Sequence, residues 1–261
     1  MPDGRGEAVS GEVGDDLLEV AVDLVRGAET RGVPLRMVGG MAVRVLCPTF
    51  PPRVRPRQDL DLASVSAVRR ELTSYLEERG HRSDKRFNAL YGHKQLFFQA
   101  PDGRAVDVLI DQLEMCHVLT FKDRIGRMPL TLDVTDVLLS KLQIIELNEK
   151  DAQDVLYLLS AFEVREGDNV GTIGLRRISD IVADDWGWWR TTVLNLDRIA
   201  ELSVGDGRRL IPDEAPFDAA TNIERIRIAV EEVPKSLRWK IRSRIGERKR
   251  WYSVPEEEAH D

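Results

Sequence analysis

Asp59 and Asp61 stand two residues apart in Arg57-Gln58-Asp59-Leu60-Asp61-Leu62, with leucine at the alternate positions. In an extended strand this alternation sends both carboxylates to one face and both leucines to the other. Upstream, Leu35-Arg36-Met37-Val38-Gly39-Gly40 reads as a short strand that breaks at two glycines into an apolar helix, Met41 to Leu46. Glycines let a backbone approach phosphate oxygens closely, and the N–H groups at a helix start favour anions. Two hard carboxylates beside such a cradle suit Mg²⁺ (or Mn²⁺) held between protein and a polyphosphate tail. That chemistry is nucleotidyl transfer, with an NTP as substrate.

Metal-assisted phosphoryl transfer usually calls for a further ligand. Ala105-Val106-Asp107-Val108-Leu109-Ile110-Asp111 offers two. Strand alternation places Asp107, Leu109 and Asp111 on one face and Val106, Val108 and Ile110 on the other. A carboxylate within so apolar a run is costly unless paired or metal-bound. Asp107 sits inside the run and Asp111 at its end, where solvent suffices, so both stay open as the third carboxylate.

The elements that must position these residues are legible around them. Leu17, Leu18, Val20, Ala21, Leu24 and Val25 make Asp15 to Glu29 an amphipathic helix ahead of the glycine strand. Pro48, Pro51, Pro52 and Pro56 mark an extended loop leading to the aspartates. Val65 to Arg79 forms a helix closed by Gly80; Lys94 to Gln99 and Arg104 to Ile110 are strands joined through Asp102-Gly103, a hairpin signal. Cys116 to Phe121 is a further strand or edge segment, and from Thr135 onward the pattern is helical. The division expected is a disordered tail over 1–14, a sheet-bearing core over 15–130 and a helical module over 131–261.

Composition excludes several classes. The chain has 261 residues, 42% hydrophobic and 32% charged, with net charge −7, which is ordinary for a soluble globular protein. No apolar run reaches membrane-spanning length, and Met1 to Asp16, rich in Gly and acid, lacks the core of a secretory signal. Cys47 and Cys116 make no disulfide framework, so a cytoplasmic location is expected. Cys116 and His117 are adjacent, a poor arrangement for one zinc, and a structural role is expected of both. Asp185-Trp186-Gly187-Trp188-Trp189 reads as packing between helices in preference to base stacking.

Val38-Gly39-Gly40-Met41-Ala42-Val43 with Asp59-Leu60-Asp61-Leu62 resembles the polymerase-β-type nucleotidyltransferase superfamily, in particular the AbiEii/AbiGii (MenT-like) toxin group and its uncharacterised relatives. The resemblance implies an α+β fold, a small mixed β-sheet nucleotidyltransferase core with flanking helices followed by a mainly α-helical C-terminal module. It implies that the third acid lies on a strand beside the Asp-x-Asp strand, which Asp107 matches best. Lys141, in Leu138-Leu139-Ser140-Lys141-Leu142, and Lys150-Asp151-Ala152-Gln153-Asp154 are similar to elements in which the lysine contacts the triphosphate and a later acid completes the site. Lys141, Asp151 and Asp154 are therefore expected to bind nucleotide. Many relatives carry Ser or Thr where Arg57 stands; Arg57 either binds phosphate or marks a subgroup apart from the toxins.

Geometry constrains the lysine. A continuous helix would hold Lys141 and Asp154 about 20 Å apart, so serving one site requires a break between them, for which Asn148 is suited. Further on, Lys235 to Arg250 carries eight basic residues and one acid, with Leu237, Ile241 and Ile245 at helical spacing. Its basic face can follow an RNA backbone, or pair with the acidic stretch Glu256 to Glu258.

The function expected is Mg²⁺-dependent transfer of an NMP from NTP to a hydroxyl acceptor, the acceptor being a tRNA 3′ end if the chain is toxin-like, with a cognate antitoxin as partner. The competing expectation is a non-catalytic interaction or antitoxin-like module on the same scaffold.

Overall fold

A computed structural model of the chain describes residues 9–51 and 59–254. It is an α+β protein with a five-stranded mixed sheet and ten α-helices among the described residues. Two compact units divide the chain, one comprising 1–112 with 121–132 and the other 113–120 with 133–261. Among the described residues no helix is long and apolar enough to cross a membrane.

The first unit opens with helix α1 (Val9–Glu29), which begins earlier than the periodicity of Asp15 to Glu29 indicates. It continues through β1 (Arg36–Met37), α2 (Gly39–Leu46), β2 (Leu60–Ser64), α3 (Arg69–Glu78), β3 (Arg82–Ser83), α4 (Lys85–Tyr91), β4 (Gln95–Gln99) and β5 (Ala105–Ile110). The sheet order is β1-β2-β5-β4-β3, antiparallel throughout except at its centre, where β2 and β5 run parallel. A parallel pair needs a crossover, and α3 with the β3–α4–β4 segment supplies it. Asp102-Gly103 turns the β4–β5 hairpin with Gly103 at φ 86°, a conformation glycine adopts without penalty. Leu62, Leu72, Tyr75, Leu76, Phe98, Val108 and Ile110 form the core.

The return segment 121–132 closes this unit. Thr131 bridges to Met37, and the Met37 N–H donates to Leu130 O at 2.8 Å, so 121–132 lies beside β1. Buried Arg36 anchors it by donating to Met128 O at 2.6 Å while pairing with Glu29 at 2.7 Å. Helix α4 went unread, because only seven residues carry it and Asp84, its cap, accepting from the Phe87 N–H, looks like ordinary loop.

The chain enters the second unit at Leu113, within β6 (Gln112–Glu114), which pairs with β7 (Val118–Thr120). There follow α5 (Val134–Leu142), α6 (Glu149–Ala161), β8 (Val164–Arg165), β9 (Ile173–Gly174), α7 (Leu175–Asp184), α8 (Trp186–Val204), α9 (Ala219–Glu232) and α10 (Leu237–Ile245). Two asparagines close helix ends with side-chain donors. Asn195 Nδ2 donates to Leu142 O at the end of α5 and to Ile144 O beyond it, and Asn222 Nδ2 donates to Leu159 O in the last turn of α6 and to Phe162 O beyond it.

The tryptophans pack among themselves. Trp186 lies 6.2 Å from Trp189 and 5.9 Å from Trp251, and Trp189 meets Trp239 edge-on at 5.2 Å. His117 belongs to the same packing, 5.1 Å from Trp188 and with Nε2 2.8 Å from Thr191 Oγ1. Thr191 Oγ1 accepts from Trp251 Nε1 at 3.1 Å, so its own hydrogen is free to donate to Nε2, which suits a neutral ring. Both cysteines are buried thiols.

Burial pushes the His117 pKa down to about 4. An unfolded histidine titrates near 6.5, so between those two values the unfolded chain holds the extra proton. Stability contributed by the neutral ring is complete above pH ~6.5 and is lost as pH falls toward 4, by about 3 kcal/mol in all. Denaturant titrations at several pH values check this: the wild-type chain is expected to lose stability over that window more steeply than His117→Gln.

Candidate functional site

The sheet centre sets Asp61 on β2 directly opposite Asp107 on β5, in register. Leu60, Leu62, Val106 and Val108 are buried on the reverse face, so alternation sends both carboxylates to the other. Adjacent like charges repel, and such a pair is retained at a cost unless a cation or donor sits with it. One donor comes from the neighbouring strand: Gln95 Nε2 donates to Asp107 Oδ1 at 2.6 Å. Gln95 was missed from sequence, although Gln95, Phe97 and Gln99 share the Asp107 face by the same period-two rule.

Gly39 completes the local arrangement. Val38 N–H donates to Asp61 O at 3.0 Å, tying the start of α2 to β2. Gly39 has φ 62°, and a Cβ placed on it would stand 2.9 Å from Asp61 Oδ2. No side chain caps α2 and its first turn holds no acid, so backbone N–H groups around Gly39 and Gly40 carry the helix's positive end. Gly39→Ala combines left-handed strain of about 1–2 kcal/mol with pressure on Asp61. It is expected to lower both melting temperature and activity. Gly103→Ala at φ 86°, with no atom within 4 Å of the new Cβ, is expected to carry the strain and keep activity.

Asp59 lies just before β2 and is exposed. Arg57 falls outside the described residues. Among those described, no group of three or more His, Cys, Asp or Glu side chains is placed to hold a metal ion, so Asp59, Asp61 and Asp107 are not gathered into a three-acid cluster. The donor chemistry nevertheless fits Mg²⁺, which is commonly bound by one or two carboxylates with substrate phosphates and water completing the shell. Asp61 and Asp107 present two carboxylates in register.

Asp111 has a different task. At φ 65° it turns the chain out of β5, accepting from the Ser66 N–H at 3.0 Å and from Lys122 Nζ at 3.4 Å. Burial raises its pKa, but the Ser66 and Lys122 hydrogen bonds outweigh that and hold it below the usual carboxylate value. Its carbonyl accepts from the Phe121 and Lys122 N–H groups. These bonds make Asp111 a turn-former and Asp107 the acid beside Asp61.

In the second unit Lys141, Asp151 and Asp154 come together. Helix α5 ends at Leu142 and α6 begins at Glu149, with Asn148 capping it by accepting from the Asp151 N–H at 3.0 Å. The break lets Lys141 Nζ reach Asp151 Oδ1 at 2.7 Å and Asp154 Oδ2 at 3.1 Å. Lys141 is no surface residue: its side chain is 11% exposed and that of Asp154 only 2%.

No family model and no curated protein matches the chain. Solved structures that resemble it include the following three. The solution structure of the antibiotic-resistance factor ANT(2'')-Ia is 13% identical with a TM-score of 0.39, covering 56% of this chain and 84% of its own. A crystal structure of ANT(2'')-Ia in complex with adenylyl-2''-tobramycin is 13% identical with a TM-score of 0.37, covering 56% and 88%. An antigenic nucleotidyltransferase-like protein from Paracoccidioides brasiliensis is 13% identical with a TM-score of 0.39, covering 85% and 95%. Similarity this slight carries no argument about activity, which rests on the residues themselves.

Proposed function

We propose that the chain is a divalent-metal-dependent nucleotidyltransferase, moving an NMP from NTP to a hydroxyl acceptor. The observation that carries this reading is the in-register pair Asp61–Asp107 with Gly39 against it. Asp61 and Asp107 would hold Mg²⁺ or Mn²⁺, with Asp59 at the strand's entrance as a further acid. The bound ion supplies charge neutralisation at the polyphosphate and acidifies an attacking hydroxyl. Gly39 and Gly40 present backbone N–H groups to phosphate oxygens, and Gln95 orients Asp107. Arg57 is assigned to phosphate by its place in the motif. Lys141, with Asp151 and Asp154, is assigned to the nucleotide by resemblance, as a cation for the departing pyrophosphate.

The toxin-like reading is the finer part of the proposal. A tRNA 3′ end as acceptor and a cognate antitoxin as partner are supported by motif resemblance. The test is incorporation of label from each NTP into bulk RNA and into small hydroxyl acceptors with Mg²⁺ or Mn²⁺. The proposal expects labelling that Asp59→Asn/Asp61→Asn abolishes; equal labelling by that variant overturns it. Calorimetry that finds no heat with any NTP favours the interaction module instead.

A further inference from the structure

We propose that the outer face of α10 is a docking site for an acidic amphipathic helix of a partner protein. The inference rests on the second unit alone and stands or falls apart from the nucleotidyl-transfer reading. Helical spacing of Leu237, Ile241 and Ile245 would ordinarily put this row against the protein. The structure does the reverse, leaving them 73%, 56% and 43% exposed. What α10 turns inward is Trp239, edge-on to Trp189, and Arg242, whose guanidinium lies 4.7 Å over the Trp186 ring. Arg242 also donates to Gly246 O and Lys249 O, each at 2.7 Å, and Arg190 clamps Glu247 at 2.5 Å just beyond the helix. The helix is thus fixed with its aliphatic row outward.

The row occupies positions i, i+4 and i+8, a stripe about 12 Å long at 1.5 Å per residue. Exposed bases border it, Lys240 and Arg244 along one edge and Arg238 along the other. This pattern decides among occupants. RNA phosphates would use the bases but leave three aliphatics in the middle of the contact with nothing to meet. A second copy of the same helix would set like charges edge to edge. Helices that lie in a bilayer surface put aromatic residues on the lipid side, and here the tryptophan faces the protein. A partner helix with its own aliphatic row edged by Asp or Glu satisfies both row and borders.

The probe is a synthetic helical peptide with Leu at i, i+4 and i+8 flanked by Glu, titrated calorimetrically into the full chain. Saturable binding is expected. Leu237→Ser/Ile241→Ser/Ile245→Ser, whose side chains are all at the exposed surface of α10, should weaken it at least about tenfold. Arg238→Glu/Lys240→Glu/Arg244→Glu should exchange its preference for a Lys-flanked version of the peptide. The proposal is overturned if the peptide fails to bind, or binds both variants as well as wild type. It is equally overturned if the aliphatic row instead supports binding to phosphatidylserine vesicles, to RNA, or to a second copy by sedimentation.

Discussion

Asp61→Asn and Asp107→Asn are each expected to lower NMP incorporation by roughly 10³-fold or more while leaving the fold intact. Charge stabilisation at the transferring phosphoryl group is worth several kcal/mol, and each 1.4 kcal/mol is tenfold in rate. Asparagine keeps the shape of aspartate and still accepts hydrogen bonds through Oδ1. Melting temperature without metal should therefore stay near the wild-type value in both variants. Added Mg²⁺ should raise it for wild type and do little for either Asn chain, because ligand binding stabilises only a state that binds. If instead both substitutions destabilise the fold and Mg²⁺ has no effect on wild type, the acids are structural and the assignment fails. Gln95→Leu grades the argument: it leaves both acids in place and removes the 2.6 Å donor to Asp107, so a loss nearer tenfold is expected.

Much of this arrangement was legible because strands obey a two-residue period. Asp59, Asp61 and Asp107 declared their faces from the leucines and valines between them, and Gly39 and Gly40 announced the strand-to-helix turn. Register was not legible. Nothing local says that Asp61 pairs with Asp107, or that Asp111, two residues on, leaves the strand at positive φ to cap Ser66. Pairing is decided by a crossover of some forty residues of intervening chain, and a period-two pattern is blind to its partner. Short elements were lost for the same reason. β3 has two residues and owes its existence to its neighbour β4. The outward row on α10 also escaped, since helical spacing reveals a stripe and not which way it faces; Trp239 and Arg242 won the inner side through aromatic and guanidinium packing.

Lys141→Met is expected to cost about 3–5 kcal/mol of stability, the largest effect of any single change proposed, because it removes one partner from a buried ionic cluster. Asp154 is 1% exposed and Asp151 is held by Asn148 at 2.7 Å, so neither acid can follow solvent when the ammonium goes. Such a loss would consume a third or more of the stability of an ordinary domain, and inactivity alone would then say nothing about catalysis. Lys141→Met/Asp151→Asn/Asp154→Asn separates the two roles. It removes all three charges while keeping side-chain shape, the two amides being able to hydrogen-bond each other once the ammonium is gone, and a buried ionic cluster replaced as a whole costs far less than one broken by losing a single partner. Chemical denaturation is expected to show most of the lost stability restored. If NTP incorporation stays absent in that refolded variant while metal still raises its melting temperature, the Lys141–Asp151–Asp154 cluster acts on the nucleotide; if activity returns with stability, the cluster only braces α5 against α6.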